Sequence, residues 1–371
     1  MSLRPYLLKL RSFDWLLVAA VLVLCAFSLA ALYGIATAFE PFNFTNLRKQ
    51  AMFIAVGLGV MLAAAALNPH RLRQAAPFGY AGVAVLLVAV LGIGQTLRGT
   101  TGWFSFGGVG FQPVEVGKLA LIVLLAAQFS ARGEASQLPW RSVAMTGLAT
   151  TLYLGLALLQ PDLGSAIILL VVWLGMLFFA GASFRQMAAV VLVLLAIGAF
   201  GWAFLLKDYQ RGRVASFLDP AADPYGRGYQ VRQSIIAVGA GQFSGRGLGF
   251  GSQSQLKFIP ASQTDFIFAV IGEELGFIGA AVVLTAYAVI LARLVGLARR
   301  ARDDFSAVLV LGVWVLLLSQ VVINIGMNIG LLPVTGIGLP FLSYGGSYLV
   351  LTFALVGLVQ AVAFSSVKYR V

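Results

Sequence analysis

The chain has 371 residues, of which 60% are hydrophobic and 10% charged, and its mean hydropathy is +0.94. A soluble domain carries about 25% charged residues, so this composition excludes a single aqueous globule and defines an integral membrane protein. The net charge of +12, from 25 Lys and Arg against 13 Asp and Glu, fits two uses. One is cationic cytoplasmic loops, which orientation demands; the other is an anionic substrate or lipid headgroup.

In chain order, the basic start "MSLRPYLLKLRSFDW" leads into an apolar run. A signal peptide is the competing reading, and "ATA" at 36–38 imitates a cleavage site. The run over 15–38 is long enough to cross a bilayer and many more runs follow, so it is read as a span. It contains Cys25, the only cysteine, which excludes an internal disulfide. Apolar runs of crossing length, about 17–25 residues, lie near 14–38, 50–67, 77–93, 112–129, 143–159, 164–180, 187–206, 266–292, 306–329 and 343–364.

The expected architecture is an all-α polytopic membrane protein, with ten transmembrane helices in one domain over 1–371. An even number puts both termini on one side. Lys and Arg choose that side as cytoplasmic: the inside segments hold Arg71, Arg73, Arg299, Arg300 and Arg302 among others, and the short outside loops hold only Arg48, Lys49 and Arg98. Residues 207–264, between spans seven and eight, form one large extracytoplasmic loop. Its spacing of Tyr229, Arg232, Ile235, Ile236 and Gly239 predicts a helix packed on the membrane rim.

A charge inside a span costs about 2.5–3.5 kcal/mol on insertion scales, so each one is a functional candidate. The acids not explained by loops or span ends are Glu115, Asp162, Asp265, Glu273 and Glu274, and the buried cation is Lys118. Glu115 and Lys118 are i, i+3 and share a helix face. They are either a self-neutralising pair or a lysine facing an anion in a polar cavity, with a glutamate that orients it or binds a metal. Asp162 in "QPDLG" suits a tight turn or an N-cap, or a polar cavity. Asp265 precedes span eight as an N-cap or as an active carboxylate at the outer rim. Glu273 and Glu274 lie about 12 Å further along the helix axis, so they cannot form a close dyad with it; they suggest packing against polar groups of other helices, or a cavity, and are read as structural or conformational. In "GLLPVTGIGLPFLSYGG" (330–346), Pro and Gly break the apolar pattern, and broken backbone at membrane depth is tolerated only against protein or water. This segment is expected to wall a cavity. "GRGLGFG" (245–251) lacks the Lys-Ser/Thr ending of a phosphate loop, which leaves ATP binding unsupported. His70 is the only histidine, which argues against a zinc site and Ser-His-Asp chemistry.

"FQPVEVGKLA", "QPDLGSA", "SFLDPAADPYGRGYQVRQSIIAVGAGQFSGRGLGFGSQSQLKFIP", "TDFIFAVIGEELGFIG" and "GMNIGLLPVTGIGLPFLSYGGS" together resemble the SEDS family (shape, elongation, division and sporulation) of bacterial cell-wall proteins. The resemblance covers nearly the whole chain, and "GFGSQSQLKFIP" is more similar to the elongation members than to the division members. It implies ten spans in the cytoplasmic membrane and a glycosyltransferase that polymerises lipid II at the outer face beside a class B penicillin-binding protein. It also implies that Asp265 is catalytic and that Glu115, Lys118 and Asp162 are polar cavity residues. Two motifs depart from the family pattern. "PASQTDF" stands where the family usually has Pro-Glu-x-His-Thr-Asp-Phe, so neither that Glu nor that His is essential here. "FQPVE" replaces FQPSE and removes a hydroxyl near Glu115.

On this reading Asp265 takes the proton of an acceptor sugar hydroxyl. Lys118, Arg211, Arg213 and a divalent cation, Mg or Mn, are the candidates for neutralising the lipid pyrophosphate that leaves. Membrane lipids are expected partners; an organic cofactor and nucleic acid are not. Two alternatives remain at this point: a lipid II flippase, and a non-catalytic scaffold for the penicillin-binding protein.

Overall fold

The computed structural model describes residues 13–38, 42–97, 99–106, 109–132, 138–204, 212 and 227–367. Among the described residues, seven α-helices lead up to the long loop: α1 Trp15–Ala36, α2 Thr45–Ala65, α3 Pro69–Ile93, α4 Pro113–Phe129, α5 Trp140–Leu159, α6 Leu163–Phe179 and α7 Phe184–Phe204. The loop itself contributes α8 Arg227–Ala240 and the short α9 Ser252–Gln255. Three helices follow: α10 Ile267–Arg299, α11 Asp304–Asn328 and α12 Gly346–Val367. Eight of these are long and apolar enough to cross a membrane, while α4 and α6 have 17 residues each. The fold is therefore a predominantly helical, polytopic bundle.

The apolar side chains serve two environments. Those of α4, α6 and α11 interlock in the centre, where Leu121, Ile122, Leu169, Val172, Val310 and Val313 are fully buried. On α7 most apolar side chains face outward, as with Leu192, Leu195, Ile197 and Phe200. Hydrocarbon surrounds a spanning helix, so an outward apolar face carries no penalty there.

The all-α expectation needs one correction. Residues between α3 and α4 form a three-stranded antiparallel sheet, β1 Gln95–Leu97, β2 Thr100–Phe106 and β3 Val109–Phe111, in the order β1-β2-β3. β-Branched and aromatic residues dominate β2, which reads Thr-Thr-Gly-Trp-Phe-Ser-Phe, and such residues favour a pleated ribbon. The sheet is tied to the turn between α5 and α6, where Thr101 N–H donates to Gln160 O at 3.2 Å.

The expected span over 266–292 is also more than a simple helix. α10 breaks at Gly276 (φ 64°, ψ −160°), a conformation essentially restricted to glycine. The break frees backbone groups that the loop satisfies. Arg246 and Gly247 N–H donate to the carbonyls of Glu273 and Glu274, and Phe277 and Ile278 N–H donate to those of Gln242 and Phe243. The side chains of the two glutamates continue the junction. Glu273 accepts from the N–H groups of Gln253 (2.7 Å) and Ser254 (2.9 Å) at the start of α9, and Glu274 accepts from Ser254 Oγ at 3.2 Å. The paired acids anchor the loop to the helix.

At one end of the bundle the N-terminus of α1 meets the last turns of α10 and α12. Asp14 caps α1 through Leu17 N–H, pairs with Arg293 at 2.8 Å and exchanges backbone bonds with the buried amide of Gln360. The polar cavity described next involves the opposite ends of α10 and α12.

Candidate active site

α4, α6 and α10 all begin at one cavity of about 290 Å³. α4 and α6 are the shortest of the bundle-length helices, about 26 Å at 1.5 Å per residue against a hydrocarbon core of about 30 Å. Their shortfall is consistent with a recess at this end. Gly164 lets the first turn of α6 approach the Pro/Gly-rich segment, since a Cβ there would lie 2.7 Å from Thr335 O. Residues 334–338 form one wall, as their broken pattern suggests, and Trp103 and Thr100 of the sheet also line the cavity.

Four of the six residues proposed from sequence meet here: Glu115, Lys118, Asp162 and Asp265. Arg211 and Arg213 lie outside the described residues. Lys118 is buried, and its Nζ sits 2.6 Å from Glu115 Oε1 and 6.0 Å from the centre of the Tyr348 ring. Asp162 does cap α6, its Oδ1 accepting from Ser165 N–H at 2.9 Å, while its Oδ2 accepts from Gln112 Nε2 at 3.0 Å. Asp265 is not the cap of α10. Phe266 occupies that position and makes no side-chain cap bond, and the half-buried Asp265 lines the cavity one residue earlier.

The electrostatics follow from this placement. The cavity holds one ammonium against three carboxylates. Each carboxylate stands at the start of a different helix, and each helix N-terminus contributes about half a positive elementary charge. Three converging N-termini therefore offset about half of the acidic charge, and Lys118 offsets a further part. Such a site can accept an anion although its formal side-chain charge is negative. Among the described residues no three His, Cys, Asp or Glu converge as a metal cage.

Sequence reasoning missed Gln112, Gln230, Tyr348 and Trp103 of the lining, and also Asn324 and Asn328 behind it. The last two had a legible signal. Gln320, Asn324 and Asn328 recur every four residues in a mostly apolar helix, and as neutral amides they carry no charge to mark them.

The bundle and its polar cavity define a multi-pass membrane protein with a site at one end of its helices. The chain belongs to the cell cycle protein family of FtsW, RodA and SpoVE, whose model matches residues 10–368; this is the SEDS family. It is 40% identical over 312 residues to the peptidoglycan glycosyltransferase MrdB of Escherichia coli strain K12, covering 83% of each chain. It is 35% identical over 368 residues to a probable peptidoglycan glycosyltransferase FtsW of Thiomicrospira cyclica, covering 97% of this chain and 94% of that one. Among solved structures, the Rod shape determining protein RodA of Thermus thermophilus superposes with a TM-score of 0.71 at 30% identity, over 97% of this chain and 98% of that one. A chain from work on the structural coordination of polymerization and crosslinking by a peptidoglycan synthase complex superposes with a TM-score of 0.81 at 32% identity, over 97% and 99%. The protein is a multi-pass protein of the bacterial cytoplasmic membrane.

Proposed function

We propose that this chain is a peptidoglycan glycosyltransferase of the elongation type, polymerising lipid II into glycan strands at the outer face of the membrane. The observation that carries the reading is the meeting of Asp265, Asp162 and the Glu115–Lys118 pair in one polar cavity at three helix N-termini. Asp265 accepts the proton of the acceptor sugar hydroxyl. The hydroxyl oxygen bonds to the anomeric carbon of the donor, and the bond from that carbon to the lipid pyrophosphate breaks. Lys118 and the helix N-termini stabilise the charge that develops on the leaving group. Arg211 and Arg213 serve the same end from the long loop. Asp162 holds Gln112 and the start of α6 in register with the cavity.

A divalent cation would neutralise the same pyrophosphate. Mg is commonly held by one or two carboxylates together with substrate phosphates, and Asp162 or Asp265 could supply that share.

In the orientation this activity requires, the cavity faces outward, and Asp14, Arg293 and Gln360 mark the cytoplasmic end. α4 and α6 complete ten spans, and both termini are cytoplasmic. A class B penicillin-binding protein supplies the crosslinking partner, in keeping with the synthase complex to which one structural neighbour belongs.

The test is the purified protein with its partner, given labelled lipid II. Glycan strands lost with Asp265→Asn support the reading. Movement of lipid II across vesicles without polymer would replace it with a flippase.

A further inference from the structure

Three consecutive carbonyls leading into α10 are bonded to other elements. Gln263 O accepts from Tyr344 N–H at 2.8 Å, and Thr264 O accepts from Ser343 Oγ at 2.5 Å. Asp265 O accepts from Nδ2 of both Asn324 (3.0 Å) and Asn328 (2.9 Å). In a regular helix Ala269 N–H would donate to Asp265 O. Here Ala269 N–H donates to Asn328 Oδ1 at 3.0 Å and to Phe266 O at 3.1 Å. The amide of Asn328 thus stands between the two groups that a continuing helix would join. Phe266 is correspondingly non-helical (φ −112°, ψ 24°).

We propose that Asn324 and Asn328 are positioning residues for Asp265. By replacing one backbone bond with a side-chain amide, they hold residue 265 out of the helix and its carboxylate in the cavity. The inference rests on the reading of Asp265 as the reacting carboxylate.

The two asparagines are i, i+4 on α11, hence on one face, and both are fully buried. The side chain of Asn324 also fixes the cavity wall, and the main chain of Asn328 is tied to α8. Asn324 Nδ2 donates to Ile337 O at 2.7 Å, on the Pro/Gly wall. Asn328 O accepts from Ser234 Oγ at 2.7 Å, on α8, the helix whose Gln230 lines the cavity. Simple helix-to-helix adhesion would need only one such bond, and apolar packing provides adhesion without polar groups. The two side chains hold three backbone groups on two other elements, Asp265 O and Ala269 N–H at the entry to α10 and Ile337 O on the cavity wall, which is the pattern of a jig.

The experiment compares Asn328→Leu, Asn324→Leu and Gln360→Met in the complex with its partner, following kcat and KM for labelled lipid II alongside thermal unfolding. Gln360 is the matched control: a fully buried amide with two backbone bonds to Asp14, at the other end of the bundle. The expected result is a fall in kcat of about 10²-fold for the Asn variants, the scale of a misplaced reacting group, with KM unchanged. Gln360→Met should lose comparable stability and keep its kcat. Asn324→Leu, which leaves Asn328 in place, decides the matter if Asn328→Leu fails to fold.

Wild-type kcat in a folded Asn variant, or an equal loss of kcat in Gln360→Met, overturns the proposal. Asp265→Asn run in parallel separates the two readings. If it is inactive while the folded Asn variants work, only the positioning role falls; if it is active, the role of Asp265 itself falls.

Discussion

Replacing Asp265 by Asn changes one oxygen for one NH2 group and removes a base. In the bundle the carboxylate is not the N-cap of α10, because Phe266 holds that position without a side-chain bond. The carbonyl of residue 265 is gripped by Asn324 and Asn328 whatever its side chain. The stability change is therefore expected below the roughly 1 kcal/mol typical of a lost N-cap. The rate change is expected to be large, about 10²–10⁴-fold for loss of a general base, or about 3–5 kcal/mol of barrier. Asp162→Ala is the informative contrast. That side chain does cap a helix and also holds Gln112, so its loss should cost about 0.5–2 kcal/mol in stability. The assay is polymerisation of labelled lipid II by purified protein with its partner, read as glycan length on a gel, with thermal unfolding measured on the same samples. Normal glycan production by Asp265→Asn, or a melting temperature that falls in step with activity, would refute the reasoning.

Lys118→Met should leave the Glu115 carboxylate unpaired at 13% side-chain exposure and destabilise by about 3 kcal/mol. Adding Glu115→Gln should restore stability but not polymerisation, and recovery of both in the double variant would reduce the pair to self-neutralisation. Gly276→Ala would force a Cβ to within 2.3 Å of Gly245 N at a glycine-only conformation. It should destabilise by at least about 1–3 kcal/mol and raise hydrogen exchange over 241–256, and an unchanged exchange pattern would count against the spliced junction. A reporter fused after Lys368 should read as cytoplasmic and one inserted near Ala222 as external; the reverse at either site contradicts the ten-span orientation.

Much of this protein is legible in one dimension because a bilayer is a demanding solvent. Backbone polar groups have no water to bond inside it, so a long apolar run becomes a helix almost regardless of its neighbours. The positions of the spans follow from that alone. A charge buried in such a run costs enough that it marks a site, and Glu115, Lys118, Asp162 and Asp265 stand out on composition before any fold is known. What the sequence could not decide is which of these meet. Glu115 and Asp265 are 150 positions apart, and their convergence depends on how α4, α6 and α10 pack. Glu273 and Glu274 carry the same sequence signal as Asp265, yet their side chains bond Gln253 and Ser254 of α9 and neither lines the cavity. Neutral amides were the harder case. Asn324 and Asn328 cost less to bury than a charge, so their four-residue spacing marks a polar helix face without saying what it meets. Their role exists only through the carbonyl of Asp265, a backbone group that every residue carries and that only tertiary packing brings within their reach.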